Sequence, residues 1–160
     1  MSDNPHGIVT DLGDALSYRR CKFSTTLPKR YLYTAGHYWL ALTSAPDLWR
    51  VGFTRFALRM LGEFVELQLD VKPGAPVQVG EPIGWYEGLK ARTDLFGVVA
   101  GIFERANSDL SDPRRDPYGA GWLYEARGVP DPQSMDVHAY IAVLDATMDK
   151  LQKADERNQS

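Results

Sequence analysis

A chain of 160 residues with 44% hydrophobic side chains is long enough to bury one sizeable core, so a single domain with short tails is expected. Eighteen basic against 21 acidic side chains leave a formal charge of -3, which argues against a nucleic-acid partner because no global positive field draws phosphate. The lone Cys21 excludes an intramolecular disulfide, and no apolar run serves as an export signal or approaches the ~18 residues of a membrane helix, so a soluble, cytoplasmic protein without membrane contact is expected.

Residues 1–29 read as a loosely patterned N-terminal extension. From 19 to 30, at its end, Arg19, Arg20, Lys22, Lys29 and Arg30 form a basic stretch free of acids. Such a run reads as a solvated surface arm, with a docking patch for an acidic partner as the alternative. From Tyr31 to about Gly101 short apolar runs rich in Tyr, Trp, Phe, Val and Leu end at Gly, Pro, Asp or Thr, which is the signature of strands. They are expected near 31–34, 38–43, 48–53, 64–69, 76–79, 82–87, 93–96 and 98–105. In the fourth, Phe64, Glu66, Gln68 and Asp70 alternate with Val65, Leu67 and Leu69, so one face is core and one is wet.

One helix interrupts the strands at Arg55–Leu61, where Phe56, Ala57, Met60 and Leu61 recur at one-turn spacing between Thr54, a candidate N-cap, and Gly62. A second helix is expected from Asp131 or Ser134 to about Lys153, because Val137, Ile141, Leu144, Met148 and Leu151 repeat in steps of four and three. This stripe should pack on its own domain, and residues 155–160 should fray. Many short strands without alternating helices argue for a β-sandwich or small barrel rather than a parallel α/β sheet.

The residues give no positive case for an enzyme. His6, His37 and His138 lack a ligand partner at three- or four-residue spacing, and no nucleophile elbow, phosphate loop or dinucleotide fingerprint occurs. Basic neighbours favour a lowered thiol pKa at Cys21, against the plainer reading of an ordinary half-buried or surface cysteine. One constellation remains. In EPIGWYEGLKARTDLFGVVAG, residues 81–101, two apolar strands flank the polar hinge Glu87-Gly88-Leu89-Lys90-Ala91-Arg92. Lys90 should stand at a hairpin tip, where its amine is open to acylation and its four-carbon stem adds reach.

This hairpin resembles the lipoylation hairpin of glycine cleavage H proteins, whose pattern Glu-Ser-Val-Lys-Ala followed by Ser-Asp-Leu-Tyr is met by Glu87, Lys90, Ala91, Asp94, Leu95 and Phe96. GHYWL at 36–40, VGFTRFALRMLGEFVELQL at 51–69, PGAPVQVGEPIG at 73–84 and DPYGAGWL at 116–123 extend the resemblance over roughly residues 30–150. It implies a mainly β barrel-sandwich hybrid with a short internal helix and a C-terminal helix at 133–153, within a carrier domain at 30–154 followed by a tail at 155–160. It further implies a lipoate amide-linked to Lys90, with Glu87, Asp94 and Gly101 contributing to the site and Glu87 and Gly101 helping the lipoate-attaching enzyme recognise the hairpin. The chain is then a non-catalytic carrier, expected as a monomer, whose partners are that enzyme and the enzymes its arm visits.

Four features depart from the usual pattern. The Ser-Val before the lysine is Gly88-Leu89, the Ala-Pro after the hairpin is Gly97-Val98, the insert before DPYG is short, and an N-terminal extension carries Cys21. These resemble the divergent H-like lipoate-binding proteins of sulfur oxidation, which serve a heterodisulfide-reductase-like complex; service to the glycine cleavage enzymes, with an aminomethyl cargo, is the alternative. An unmodified adaptor or lipoyl-transfer protein is a further alternative. A biotin carrier is disfavoured, because that family flanks its lysine with methionines and Lys90 lies between Leu89 and Ala91.

Overall fold

The computed structural model describes residues 6–159, so residues 1–5 of the expected extension and residue 160 of the expected tail lie outside it. Three antiparallel sheets are built. β1 (Ile8–Asp11), β2 (Ala15–Arg20) and β3 (Phe23–Pro28) form a meander. Next along the chain come β4 (Leu32–Tyr33), β5 (Tyr38–Leu42), β6 (Leu48–Phe53), α1 (Arg55–Leu61) and β7 (Phe64–Leu69). They are followed by β8 (Pro76–Val77), β9 (Pro82–Gly88), β10 (Arg92–Phe96), β11 (Val99–Ala106), β12 (Tyr124–Pro130) and α2 (Val137–Gln159). The large sheet has the order β4-β5-β6-β12-β11-β8 and the third sheet β10-β9-β7. The fold is thus mainly β with one short internal and one C-terminal helix, as expected of a barrel-sandwich hybrid, and none of the three sheets closes on itself.

β5 shows how the sequence builds two cores from one strand. Its alternation turns Tyr38 and Leu40 into the space between the six-stranded sheet and the β10-β9-β7 sheet, where Val51, Phe53, Ile83, Tyr86, Leu95 and Phe103 are also buried. Trp39 points the other way, into a second core with Tyr18, Leu27, Phe56, Tyr140 and Leu144. The indole of Trp39 donates to the Pro117 carbonyl at 2.8 Å, so a fully buried polar group is satisfied.

The basic stretch is not a solvated arm. β2 and β3 alternate like any half-buried strands, with Leu16 and Tyr18, then Phe23, Thr25 and Leu27, turned inward against α2. Arg20 is itself buried and binds the Asp149 carboxylate at 2.6 Å and the Asp145 carbonyl at 3.0 Å. Tyr18 donates to the same Asp145 at 2.7 Å, and Lys29 pairs with Asp11 at 2.7 Å. Of the charges that suggested solvation, Arg20 clasps the extension to α2, and Lys29 ties β1 to the end of β3 within the extension.

Two further differences have local causes. α2 begins at Val137 because Asp136 caps it, accepting from Ala139 N at 2.9 Å, whereas Asp131 closes a separate turn by accepting from Gln133 N at 2.9 Å. It also runs on to residue 159 through the segment expected to fray. β12 has no counterpart among the expected strands, which end at residue 105. Glu125 is instead 1% exposed, with Arg50 Nε at 2.9 Å and Arg105 Nη2 at 2.7 Å, so cross-strand cations offset the cost of burying it. Among the described residues no helix is long and apolar enough to cross a membrane.

His37 sits in the second core, its Nδ1 2.7 Å from the Tyr140 hydroxyl, which also lies 2.8 Å from Thr54 Oγ1. Burial pushes the imidazole down to about 4. The unfolded chain therefore takes up a proton near pH 6.5 that the folded chain refuses until about pH 4, and stability falls as pH drops through that window. Denaturant titrations at pH 7 and 4.5 should show a loss of about 2 kcal/mol attributable to this residue. His37→Asn, which tolerates the positive φ of 70° here, should lose less than half as much over the same interval.

Candidate functional site

β9 and β10 pair with Glu87 opposite Arg92, and Gly88 N donates to the Ala91 carbonyl at 2.9 Å, which leaves Leu89 and Lys90 at the tip. The tip is held by its backbone. Lys90 N and Ala91 N both donate to the Leu61 carbonyl, at 2.9 and 3.3 Å, and Leu89 N donates to the Glu63 carbonyl at 2.9 Å. The last carbonyl of α1, which has no partner within its helix, thereby becomes the seat of the hairpin. Gly62 follows in a left-handed conformation, and a β-carbon there would lie 2.8 Å from Lys90 Cγ and 3.0 Å from Lys90 N. Its bareness lets the lysine stem lie across the helix end. Leu89 is 70% exposed, the Lys90 side chain is exposed, and among the described residues no carboxylate pairs with its amine.

Strand alternation sorts the flanking residues. Trp85, Glu87, Arg92 and Asp94 share the outer face of the hairpin, since Trp85 pairs with Asp94 and Glu87 with Arg92. The Arg92 guanidinium lies 3.9 Å over the Trp85 ring, so its preferred contact is the indole and not Glu87. Tyr86 and Leu95 face inward and are fully buried; desolvation drives the Tyr86 phenol up, which keeps it neutral. Gly101 lies on β11, opposite Gly128 and Val77, and a β-carbon on it would overlap the Arg127 carbonyl of β12. The structure therefore brings Glu87, Lys90 and Asp94 onto one hairpin and gives Gly101 a packing reason of its own. A backbone-fixed tip with an open, unpaired amine fits acylation of Lys90.

The seat itself, Leu61-Gly62, was not among the sequence-derived site residues. The signal was present in Gly62 as a helix stop, but which chain the exposed helix end would meet depends on tertiary packing. The same holds for an open groove of about 500 Å³ beside the tip. Lys22 of the β2–β3 turn and Phe23 and Ser24 of β3 form one wall, with α1 and the 3₁₀ turn Pro113–Arg115 opposite. The DPYG segment that follows the turn is anchored to β3 and α1. Tyr118 shares a hydrogen bond with Thr25 at 2.7 Å and accepts from Arg55 N at 3.1 Å, while Asp116 accepts from Ala120 N at 2.9 Å. A second groove along α2 contains Cys21, which is exposed with φ 55° at the β2–β3 turn.

Comparison with known proteins decides the family. The glycine cleavage H-protein model matches residues 31–140. The chain belongs to the glycine cleavage H-protein family. It is 34% identical over 124 residues to the glycine cleavage system H protein of Corynebacterium jeikeium, covering 74% of this chain and 97% of that one. The protein of the same name from Mycobacterium avium is 39% identical over 124 residues, covering 75% and 91%. A crystal structure of an H protein from Mycobacterium marinum superposes with a TM-score of 0.64 at 35% identity, over 72% of this chain and 97% of that chain. Like other H proteins, the chain is a non-catalytic carrier whose cofactor is a lipoyl group attached covalently to a lysine. These relatives carry the glycine cleavage name, so the sulfur-oxidation assignment gains no support from them and the glycine cleavage alternative fits better.

The two departures around the hairpin have a structural reason within this H protein. A β-carbon at Gly88 would overlap the Leu61 carbonyl oxygen, and one at Gly97 would overlap that of Gln78. The hairpin lies closer to its neighbours here than serine and alanine at those positions would allow.

Proposed function

We propose that Lys90 is the lipoylated lysine and that the chain carries an aminomethyl group among the glycine cleavage enzymes. The observation that supports this is the exposed Lys90 amine on a tip fixed through the Leu61 and Glu63 carbonyls. When attached, the lipoyl dithiolane supplies thiol–disulfide exchange. The chain's own residues do the rest. Leu61 and Glu63 fix the backbone that aims the arm, Gly62 leaves the lysine stem free to swing across the helix end, and the buried Tyr86 and Leu95 keep the hairpin rigid. Glu87 and Asp94 present carboxylates on the outer face for the lipoate-attaching enzyme to recognise. In this reading Gly101 acts through the strand packing behind the hairpin.

A second reading, sulfur oxidation beside a heterodisulfide-reductase-like complex, is favoured by Gly88-Leu89, Gly97-Val98 and the N-terminal extension that the family match does not cover. Reconstitution separates the two. The lipoylated chain mixed with glycine decarboxylase, aminomethyltransferase, dihydrolipoyl dehydrogenase and tetrahydrofolate, which accepts the one-carbon unit as ammonia leaves, should support glycine-dependent reduction of NAD at a rate comparable to an established H protein. A lipoylated chain that the dehydrogenase reduces but that gives no glycine-dependent turnover would overturn the glycine cleavage assignment.

A further inference from the structure

The groove beside Lys90 carries a charge opposite to that of the molecule. Lys22 enters from the β2–β3 turn, Arg55 and Arg59 from α1, Arg114 and Arg115 from the 3₁₀ turn, and Lys90 from the hairpin tip. Against these six cations, five once Lys90 is acylated, stand only Glu63 and Asp112, in a chain whose net charge is -3. Asp112 is already committed. Arg114 grips it through Nε at 3.1 and 3.0 Å and Nη2 at 2.6 Å, which holds its carboxyl below the usual carboxylate range. Arg59 is fixed as well, with Nη1 3.2 Å from the Lys22 carbonyl and its guanidinium 5.7 Å from the Phe23 ring centre. Among the described residues Lys22, Arg55 and Arg115 have no carboxylate partner.

Converging cations without counter-charges repel one another, and a bound anion relieves that cost. Guanidinium forks match the oxygen geometry of oxyanions. A concave space of about 500 Å³ is also the scale of a small-ligand site rather than of a flat protein interface. We infer that this groove is a binding site for a small doubly charged oxyanion of the sulfate or phosphate type, built jointly by the extension and the H-protein core. Residues 22–24 lie outside the family match at 31–140, so the extension completes a wall that the matched region does not supply. An anion held there sits against the stem of Lys90, beside whatever that lysine carries.

The test uses the full, unlipoylated chain, so its outcome is independent of acylation at Lys90. Sodium sulfate and sodium phosphate are titrated at ionic strength held constant with sodium chloride, and the arginine Nε–H signals are followed by NMR. Saturable shifts of the Arg55 and Arg115 signals are expected at roughly millimolar sulfate. Arg55→Gln/Arg115→Gln should weaken binding at least tenfold, whereas Arg19→Gln, at an exposed position of β2 that does not line the groove, should not change it. Lys22→Gln alone, which removes the side-chain charge and keeps the backbone carbonyl that Arg59 binds, should weaken binding severalfold. Non-saturable shifts shared by all surface arginines would mean screening and would overturn the proposal. Binding of hexaglutamate more than tenfold tighter than sulfate, with the same signals moving, would also overturn it and make the groove a dock for an acidic protein.

Discussion

Lys90→Arg is expected to abolish carrier turnover while leaving the fold intact. Arginine keeps the positive charge and a long stem, but its guanidinium is not acylated by an enzyme that forms an amide to a lysine amine. The structural cost is small because the side chain is exposed and the tip is held through backbone groups of residues 89–91. Glycine-dependent NAD reduction should fall to the level without any H protein, while the denaturation midpoint moves by no more than about 0.5 kcal/mol equivalent. A variant that unfolds would show that Lys90 is structural. One that keeps turnover would show that the arm is elsewhere.

Gly88→Ser, which restores the usual family residue, should be damaging in this chain. A β-carbon at position 88 overlaps the Leu61 carbonyl oxygen, the group that accepts from Lys90 N and Ala91 N. Either α1 shifts or the tip lifts off its seat. Overpacking of this kind costs about 1–3 kcal/mol, and each strained or lost hydrogen bond adds about 1 kcal/mol, so a loss of about 2–4 kcal/mol is expected. The rate of lipoylation at Lys90 should fall with it, because the lifted tip no longer presents the amine in one conformation. Denaturation and a timed lipoylation assay check both effects, and a stable, normally modified Gly88→Ser would show that the seat is dispensable.

How far the sequence could be read depended on whether the deciding interaction was local. α1 was legible because its apolar spacing and the stop at Gly62 lie within one short segment. The hairpin was legible for the same reason, and resemblance then singled out Lys90 from a turn that physics alone would call solvated. The extension was misjudged although Leu16, Tyr18, Phe23, Thr25 and Leu27 alternate, because five cations outweighed the pattern and the carboxylate that holds the buried Arg20 lies on α2, more than a hundred residues away. β12 failed similarly, since Glu125 is a strand residue only when Arg50 and Arg105 flank it. The groove was beyond the sequence altogether: its cations come from segments near residues 22, 55–59, 90 and 114–115, and only folding brings them to one place.

The most direct test of the central claim is the position of the lipoyl group. Wild-type chain produced in a lipoylating host should gain the mass of one lipoyl group, and peptide mapping should place it on Lys90. A lipoyl group on Lys22, Lys29, Lys72, Lys150 or Lys153, or an unchanged mass in a host that lipoylates a control H protein, would contradict the account.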